Sequence, residues 1–235
     1  MSTNVAIVIA ARNEGDNIAD VVKLAGQYGD VIVVDNASID YTVCEAKVGG
    51  AKVIRHWVDT HIRQSYVDGF RYAILSYDYI IQMDAGMSHS PYDIPRLLDV
   101  LEGGTGMVIG SRYVPGGRVF NQTFRKKIIS RGATALARLV TGMEINDVTS
   151  GFRGFRVEVL TNLYNRGLLD RLWAKAHGFQ IELLWYVWMQ GYSIVELPIT
   201  YIATRSSADI RAVVEALCIV FLLLCRRMVT GENAR

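Results

Sequence analysis

The strongest constraint on the fold is a series of short apolar runs separated by segments with helical periodicity. Val5–Ala11 is apolar throughout, Val31–Val34 is a second such run, and Tyr79–Asp84 is a third that ends in an acid. Strands without polar alternation are buried on both faces, which is typical of a parallel sheet covered by helices. The sequence therefore predicts an α/β fold with a mostly parallel sheet that helices flank on both sides.

Polar or acidic residues follow each of the three runs. Asn13 and Glu14 come after the first, Asp35 and Asn36 after the second, and Asp84 closes the third. In open parallel sheets, ligands bind just outside the carboxyl ends of the strands, so these side chains indicate a nucleotide crevice. No glycine-rich fingerprint opens a helix, and this argues against a dinucleotide or P-loop site.

Asp84 has two interpretations from the residues alone. Its carboxylate could hold a divalent cation on the phosphates of a substrate, because hard cations take oxygen ligands. It could instead cap the next helix, which is expected near Pro91–Asp93.

Cationic residues are concentrated in one region, although the 235-residue chain has a formal net charge of only +2. A charge so close to balance gives no case for nucleic acid as a partner. A helix is predicted over 124–140, with Lys126 and Ser130 on one face and Ile128, Ala135, Leu136 and Leu139 opposite the cations. Such a face could clamp a phosphate, be simply solvated, or meet an anionic membrane. The cluster is Arg112, Arg118, Arg125, Lys126, Lys127, Arg131 and Arg138.

The end of the chain is expected to form one long helix, from Asp209 to Met228. Its longest apolar stretch, Ala212–Cys225, is interrupted by Glu215 and is shorter than the ~20 residues of a spanning helix. An apolar face with cationic ends can lie in the membrane interface, or it can pack on the domain or on another subunit. We expect residues 1–205 to form the globular domain and residues 206–235 to form this C-terminal helix.

The cysteines and the N-terminus bear on the cellular compartment. Cys44, Cys218 and Cys225 are odd in number and lack metal-ligand spacing, which predicts reduced thiols. The N-terminus enters a strand-like run without the pattern of a secretory signal. A cytoplasmic protein, peripheral at a membrane, is the expectation.

Eight segments form a set that is specific in its order, although each alone is weak. They are Val8–Asn17, Val31–Thr42, Met83–Pro91, Ile109–Gly117, Arg125–Gly132, Asp147–Arg156, Gly178–Glu182 and Val195–Thr200. Together they resemble the inverting family-2 glycosyltransferases with a GT-A (Rossmann-like) fold, and more narrowly the dolichyl/polyprenyl-phosphate mannosyltransferases. The resemblance implies transfer of a sugar from a nucleotide-sugar donor, GDP-mannose or a UDP-sugar, to a polyprenyl-phosphate lipid at a membrane surface.

The resemblance also implies roles for individual residues. Asp84 and Arg112 are the candidate catalytic residues, and Asp84 is the candidate metal ligand. The acceptor phosphate would be held by Arg112, Lys126, Ser130 and Arg205. A phosphate is already ionised, so the site need only orient it and neutralise the leaving diphosphate. The nucleotide-binding residues would be Ala11, Arg12, Asn13, Glu14, Asp35, Asn36, Asp84 and Ala85.

The chain departs from the family pattern at several ligand positions. Gly86 stands where the second acid of an Asp-x-Asp motif is expected, so a Mg²⁺ or Mn²⁺ site would keep a single carboxylate. The loop before Tyr66 contains Arg63 instead of glycines, and this cation is a candidate substitute for the metal charge. Arg205 lies one residue out of register with the arginine of the family.

Two other functions stay open on the sequence. Gly86 favours a catalytically silent relative that binds nucleotide-sugar or a partner enzyme, as a homo-oligomer or beside another subunit. An ordinary transferase with a hydroxyl acceptor would need a general base, for which only Asp147 and Glu182 are candidates.

Overall fold

The computed structural model describes residues 4–203 and, in the tail, residues 218, 219, 221–223 and 225. The predicted helix Asp209–Met228 falls mostly outside this part, and the expected boundary at 205 falls wholly outside it. The tail residues that are described are helical. The side chains of Arg125, Lys126 and Ile129 lie outside it as well. Within the part that is described, no helix is long and apolar enough to cross a bilayer.

A mostly parallel sheet forms the centre of the molecule. Its strand order is β3-β2-β1-β4-β7-β5-β8, and only β7 runs antiparallel to its neighbours. A small parallel pair, β6 with β9, lies apart from it. The strands are β1 Val5–Ala11, β2 Asp30–Asn36, β3 Lys52–His56, β4 Tyr79–Asp84, β5 Met107–Ser111, β6 Arg118–Phe120, β7 Arg153–Arg156, β8 Ile194–Pro198 and β9 Thr200–Ile202.

Helices cover both faces of the sheet, with one hydrophobic core on each side. Alternate residues of β1 enter different cores, Val8 on one side and Ile7 on the other. The first core includes Phe70 of α3, and the second includes Val22 of α1. The helices are α1 Ile18–Ala25, α2 Thr42–Val48, α3 His61–Ala73, α4 Ile94–Glu102 after a 3-10 turn at Pro91–Asp93, α5 Phe124–Thr141, α6 Val157–Asn165 and α7 Phe179–Met189.

This architecture confirms the predicted α/β fold with a mostly parallel sheet. Two strands were not anticipated: β6 has three residues, and β7 has four that include Arg153 and Gly154, so neither the length nor the pattern of these segments predicts a strand. The segment Val195–Thr200, which contributes to the family resemblance, is divided at Ile199 between β8 and β9, which belong to different sheets.

Candidate active site

Two loops at the carboxyl edge of the sheet are joined by hydrogen bonds. Asn13 after β1 and Ala37 after β2 both have left-handed backbones, with φ of 54° and 58°. The Asn13 amide donates to Ser38 Oγ at 2.9 Å, and the Ile39 amide donates to Asn13 Oδ1 at 3.0 Å. A left-handed alanine is strained, and such strain persists only where the surroundings enforce it. These bonds hold the ends of β1 and β2 in one fixed arrangement.

Asp35 lies at the centre of this edge and is fully buried. Its Oδ2 accepts a hydrogen bond from the Ser38 amide at 3.4 Å and lies 3.7 Å from Arg55 Nε. Its Oδ1 has no hydrogen-bond partner among the described residues. Because a buried carboxylate oxygen is costly to leave unpaired, this atom is a candidate acceptor for a polar ligand group.

Asn36 connects the same edge to the loop before α3. Its Nδ2 donates to Asp59 Oδ1 at 2.8 Å, and its Oδ1 accepts from the Thr60 amide at 2.9 Å. Arg12 also forms an ion pair with Asp59. A hydrogen bond from the His61 amide, followed by that from Asn36, lowers the pKa of Asp59, so this carboxylate is ionised at neutral pH. The predicted residues Arg12 and Asn36 thus share a partner that the sequence did not single out.

The end of β1 lies between the two predicted acids. Ala11 pairs with Asp35 in the register with β2, and its neighbour Ala10 pairs with Asp84 in the register with β4. Burial raises the pKa of Glu14, and the negative charge of Asp84 raises it further. The predicted nucleotide-binding residues therefore converge on one short stretch of the sheet edge.

Asp84 ends β4 with its side chain about one third exposed (35%). Its Oδ2 lies 3.5 Å from Nδ1 of His89, and its Oδ1 would lie 3.1 Å from a Cβ added to Gly151. Ser90, not Asp84, is the N-cap of the 3-10 turn at Pro91–Asp93, and no side chain caps that turn. The alternative interpretation of Asp84 as a helix cap is therefore wrong.

His89 is buried between two aromatic rings. Its ring stacks on Phe152 with centroids 5.2 Å apart, and the ring of Tyr201 lies at the same distance. Burial lowers the pKa of His89, although the charge of Asp84 opposes this shift. The imidazole is therefore neutral at pH 7, and its buried Nδ1 has no hydrogen-bond partner among the described residues.

Arg112, directly after β5, is held by a buried carboxylate. Its Nε and Nη2 each donate to Asp147 at 2.7 Å, and Nη2 also donates to Thr149 Oγ1 at 2.7 Å. The predicted Ser130, on α5, lies 3.3 Å from the same nitrogen. Burial acts to lower the pKa of Arg112, but the hydrogen bonds and charge of Asp147 outweigh it and raise the pKa.

Tyr201 connects the acidic and the basic parts of the site. Its ring lies 5.2 Å from the guanidinium carbon of Arg112, and it also packs against His89 beside Asp84. Burial and the charge of Asp84 raise the pKa of Tyr201, whereas Arg112 opposes the shift. Asp84 and Arg112 thus lie at the same edge of the sheet, and contacts through His89 and Tyr201 connect them.

Other predicted residues are placed elsewhere or fall outside the described part. The Lys126 side chain and Arg205 are among those not described. Arg63 donates to the carbonyl oxygen of Leu172, so its guanidinium is engaged with the segment between α6 and α7. Asp147 and Glu182, the candidate general bases, are both buried, one paired with Arg112 and the other accepting backbone N–H groups.

A family model described as "Glycosyl transferase family 2" matches residues 6–164. The chain belongs to glycosyltransferase family 2. The glycosyltransferase is 33% identical over 205 residues to the polyprenol monophosphomannose synthase of Mycolicibacterium smegmatis, which covers 83% of this chain and 76% of the relative. It is 35% identical to the undecaprenyl-phosphate mannosyltransferase of Micrococcus luteus, covering 74% of this chain and 72% of that one. These matches confirm the predicted family.

A third relative is considerably longer than the part that matches. The glycosyltransferase is 31% identical over 208 residues to the dolichol-phosphate mannosyltransferase of Pyrococcus furiosus, which covers 84% of this chain. The match spans 56% of that relative.

Solved structures show the same fold. Glucosyl-3-phosphoglycerate synthase from Mycobacterium tuberculosis superimposes with a TM-score of 0.71 at 19% identity, covering 96% of this glycosyltransferase and 80% of the synthase. A crystal structure of that synthase with Mn²⁺, UDP-glucose and glycerol 3-phosphate gives a TM-score of 0.69. At this identity the similarity establishes the fold alone, and it confirms the GT-A prediction.

A cation site in this glycosyltransferase would have few protein ligands. No group of three or more His, Cys, Asp or Glu side chains suited to a metal occurs among the described residues. At the carboxyl edge of the sheet, Asp84 and His89 provide a carboxylate and an imidazole with donor atoms 3.5 Å apart. The sequence around His89 has no metal-ligand spacing and so predicts no such role, because the position of its ring depends on Phe152 and Tyr201, which are distant in the chain.

Proposed function

We propose that this glycosyltransferase moves a sugar from a nucleotide-sugar donor to the phosphate of a polyprenyl phosphate. The observation that carries the proposal is Arg112, which Asp147 orients beside the hydroxyl groups of Ser130 and Thr149. A fixed guanidinium with neighbouring hydroxyls suits a phosphate better than a sugar hydroxyl. Three relatives at 31–35% identity are named for mannose transfer to polyprenyl, undecaprenyl and dolichyl phosphates, which supports the same acceptor class here.

The donor would bind along the ends of β1, β2 and β4. The unpaired buried oxygen of Asp35 suits a polar group of a nucleoside, and Asn13, which the loop after β2 holds at the same edge, would line this part of the site. The diphosphate would then extend toward Asp84, in the direction of Arg112. We infer the same nucleotide-binding role for Ala11, Arg12, Glu14, Asn36 and Ala85.

The reaction needs no general base. An oxygen of the acceptor phosphate forms a bond to the anomeric carbon while the bond from that carbon to the donor diphosphate breaks, and the electron pair leaves with the diphosphate. Asp147 accepts hydrogen bonds from Nε and Nη2 of Arg112. Nη1 makes no hydrogen bond to the described residues, so it can donate to the acceptor phosphate and orient it. The buried pairs of Asp147 and Glu182 are consistent with a mechanism without proton abstraction.

We further propose that Asp84 and His89 together hold a divalent cation, with His89 taking the place of the acid missing at Gly86. Adjacent ligands of one cation at ~2.1 Å lie roughly 3.0–3.4 Å apart, so the 3.5 Å between Asp84 Oδ2 and His89 Nδ1 fits with little movement. Such a cation would neutralise the diphosphate as it leaves. An imidazole ligand favours Mn²⁺ over Mg²⁺, because Mg²⁺ prefers oxygen.

Pulsed electron paramagnetic resonance of bound Mn²⁺ tests this ligand set without turnover. We expect ¹⁴N modulation from a coordinated imidazole in the wild-type protein and its loss in His89→Phe. The exposed His177 provides the control, since His177→Phe should keep the signal. Bound Mn²⁺ without nitrogen modulation in the wild type would show that His89 only packs beside Asp84.

A transfer assay tests the function itself. The full chain is incubated with radiolabelled GDP-mannose or UDP-sugars and either a polyprenyl phosphate or the matching polyprenol. We expect product with the phosphate alone, and a loss of about 100-fold in kcat/KM for the acceptor in Arg112→Lys, which cannot reproduce the planar pair with Asp147. Donor binding, followed by thermal shift, should persist in that variant.

Two results would contradict the proposal. Donor binding without product on any acceptor would support the silent-subunit alternative that Gly86 suggests. Product on the polyprenol would instead indicate a transferase for hydroxyl acceptors.

We also propose a location and a domain division that follow from the acceptor. A polyprenyl chain partitions into a bilayer, so the enzyme would work at the cytoplasmic surface of a membrane. Residues 1–205 would form the catalytic domain, and residues 206–235 a C-terminal helix beside it.

A further inference from the structure

The end of β3 carries an exposed aromatic residue beside the proposed nucleoside site. Trp57 follows β3 directly and is 79% exposed. The guanidinium of Arg55 lies over its indole, 4.4 Å from the ring centroid. Arg55 also pairs with Asp35 in the register of β3 with β2, and its Nε lies 3.7 Å from Asp35 Oδ2. One arginine therefore connects the indole to the buried carboxylate at the sheet edge.

The residues on either side of Trp57 are held in place by polar contacts. Before it, His56 lies with Nε2 3.1 Å from Asp68 Oδ2 of α3 and with Nδ1 2.7 Å from Thr60 Oγ1. After it, the Thr60 amide donates to Asn36 Oδ1 at 2.9 Å. The short loop is therefore fixed both to α3 and to the end of β2, and the indole projects from a defined position.

Asp35 and Arg55 offer complementary hydrogen-bonding groups. The buried Oδ1 of Asp35, which has no partner among the described residues, can only accept, whereas the guanidinium of Arg55 can only donate. A flat ring with an N–H group next to a carbonyl satisfies both. Guanine and uracil present this edge. Adenine and cytosine have an unprotonated nitrogen at the corresponding position, and the carboxylate would leave it without a donor.

We propose that Arg55 and Trp57 form a stacking platform for the nucleobase of the donor. The proposal rests on the proposed function, because it assumes that the donor is a nucleotide-sugar. Asp35 and Arg55 would hold the edge of the base, which places its plane in the same layer as the guanidinium. The base would then cover the exposed part of the indole, and stacking of this kind tolerates both purines and pyrimidines.

The strand order gives the donor site a suitable length. The order β3-β2-β1-β4 puts Arg55 and Asp84 three strand spacings apart, which is roughly 14 Å at ~4.8 Å per spacing. An extended nucleoside diphosphate spans about this distance. With its base on β3, its ribose would lie over β2 and β1, and its diphosphate would reach Asp84 on β4. The platform thus extends the proposed donor site by one strand.

Calorimetric titration of the full chain with nucleoside diphosphates tests the platform without turnover. We expect Trp57→Leu to weaken the binding of GDP and UDP about tenfold or more, and Trp57→Phe to weaken it only about threefold. Trp173→Leu is the matched control, because Trp173 is 52% exposed between α6 and α7 and should not affect binding. ADP and CDP should bind the wild type at least about tenfold more weakly than GDP and UDP.

Equal affinity of the wild type and Trp57→Leu for GDP and UDP would overturn the platform. Equal affinity of the wild type for all four nucleotides would overturn the role given to Asp35 and Arg55. Unchanged unfolding midpoints would show that the variants are folded.

Donor kinetics separate failure of the platform from failure of the proposed function. In the transfer assay, Trp57→Leu should raise KM for the donor about tenfold and leave kcat within about twofold, because the base is bound equally before and during the reaction. If the wild type forms no product on any acceptor but the differences in nucleotide affinity hold, the proposed function is wrong and the platform stands. If the wild type transfers sugar and Trp57→Leu keeps its donor KM, the platform is wrong.

Discussion

Two buried arginines near the site are held in different ways. Arg112 is paired with the carboxylate of Asp147, whereas Arg153 donates to the carbonyl oxygens of Val148, Ser150 and Gln180. Burial lowers the pKa of Arg153 to about 9, so it is still a cation at pH 7. The carbonyls of the 147–151 loop thus converge on Arg153, and this loop carries both Asp147 and the glycine beside Asp84. Arg153 is therefore a positioning residue for both halves of the site.

Replacing Arg153 tests this role. Arg153→Met removes a charged donor from three buried carbonyl oxygens, and we expect the free energy of unfolding to fall by about 3 kcal/mol or more in urea titrations. The exposed Arg166 gives the control, since Arg166→Met should change stability by less than about 0.5 kcal/mol. Equal effects of the two substitutions would contradict a special role for the buried arginine.

Gly151 sets the space available to Asp84. A Cβ at this position would lie 3.1 Å from Asp84 Oδ1 and 3.7 Å from Gln180 Nε2. Gly151→Ala should therefore displace the carboxylate slightly and lower kcat about tenfold, because small misplacements of reacting groups are costly. Urea unfolding should show a stability change below about 1 kcal/mol, since the carboxylate is partly exposed and can move. Wild-type kcat in this variant would argue against a fixed position for Asp84.

At the scale of elements, the short strand β7 decides how the site is spaced. It separates β4 from β5 and runs antiparallel to both, so the ends of β4 and β5 lie at the same edge with one strand between them. Phe152, just before β7, fills this gap by stacking on His89. Asp84 and Arg112 are therefore held apart by the width of β7 and by Phe152, which precedes it.

The packing of α3 on the sheet depends on a glycine. A Cβ at Gly69 would lie 2.3 Å from Val8 Cγ1 and 3.2 Å from Val34 Cγ2, so the helix could not keep its present distance from β1 and β2. We expect Gly69→Ala to lower the free energy of unfolding by roughly 1–3 kcal/mol, despite the better helix propensity of alanine.

The matched substitution for this prediction is in α5. A Cβ at Gly132 would have no neighbour within 4 Å among the described residues, so Gly132→Ala should stabilise the protein by up to about 1 kcal/mol through helix propensity. Chemical unfolding of both variants measures the difference. A gain in stability from Gly69→Ala would show that α3 can shift without cost.

On the scale of the whole molecule, polar contacts outside both hydrophobic cores connect strands and loops at the two edges of the sheet. Lys52 and Tyr77 donate to Asp30 at 2.7 Å each, joining β2, β3 and the segment after α3. Asp59 joins the loop before α3 to Arg12 and Asn36 at the other edge. The pKa values of both carboxyl groups are lowered, for Asp30 chiefly by the hydrogen bond from Lys52.

These shifts predict a defined dependence of stability on pH. A carboxyl group whose pKa is lower in the folded than in the unfolded state stabilises the fold at pH values above its unfolded pKa of ~3.9. This contribution is lost as the pH falls through the pKa of the folded state. We expect Asp59→Asn to be less stable than the wild type at pH 6, and the difference to shrink as the pH falls through the lowered pKa of Asp59 and this carboxyl group becomes protonated. Urea unfolding across this range measures it. A difference that is independent of pH would mean that charge is not involved.

Much of the fold could be predicted because it follows from local patterns. Runs such as Val5–Ala11 can be buried only inside a covered sheet, and short connections between parallel strands must cross over through helices. The polar residues after β1, β2 and β4 then fall at one edge by topology alone. Asp35 and Asp84 were therefore predictable, as was Arg112 after β5, once the family resemblance supplied its role.

The amino-acid sequence by itself determined the parallel sheet, the edge at which we propose a nucleotide crevice, and the cationic character of α5. Only the tertiary structure decided which side chains meet there: Asp147 with Arg112, His89 between Phe152 and Tyr201, and Arg153 among its carbonyls. It also decided that Ile128, Ala135 and Leu139 of α5 are exposed, whereas Leu136 packs against the core. The physical reason is that periodicity fixes how residues alternate within one element, whereas contacts between distant elements depend on how the whole chain packs.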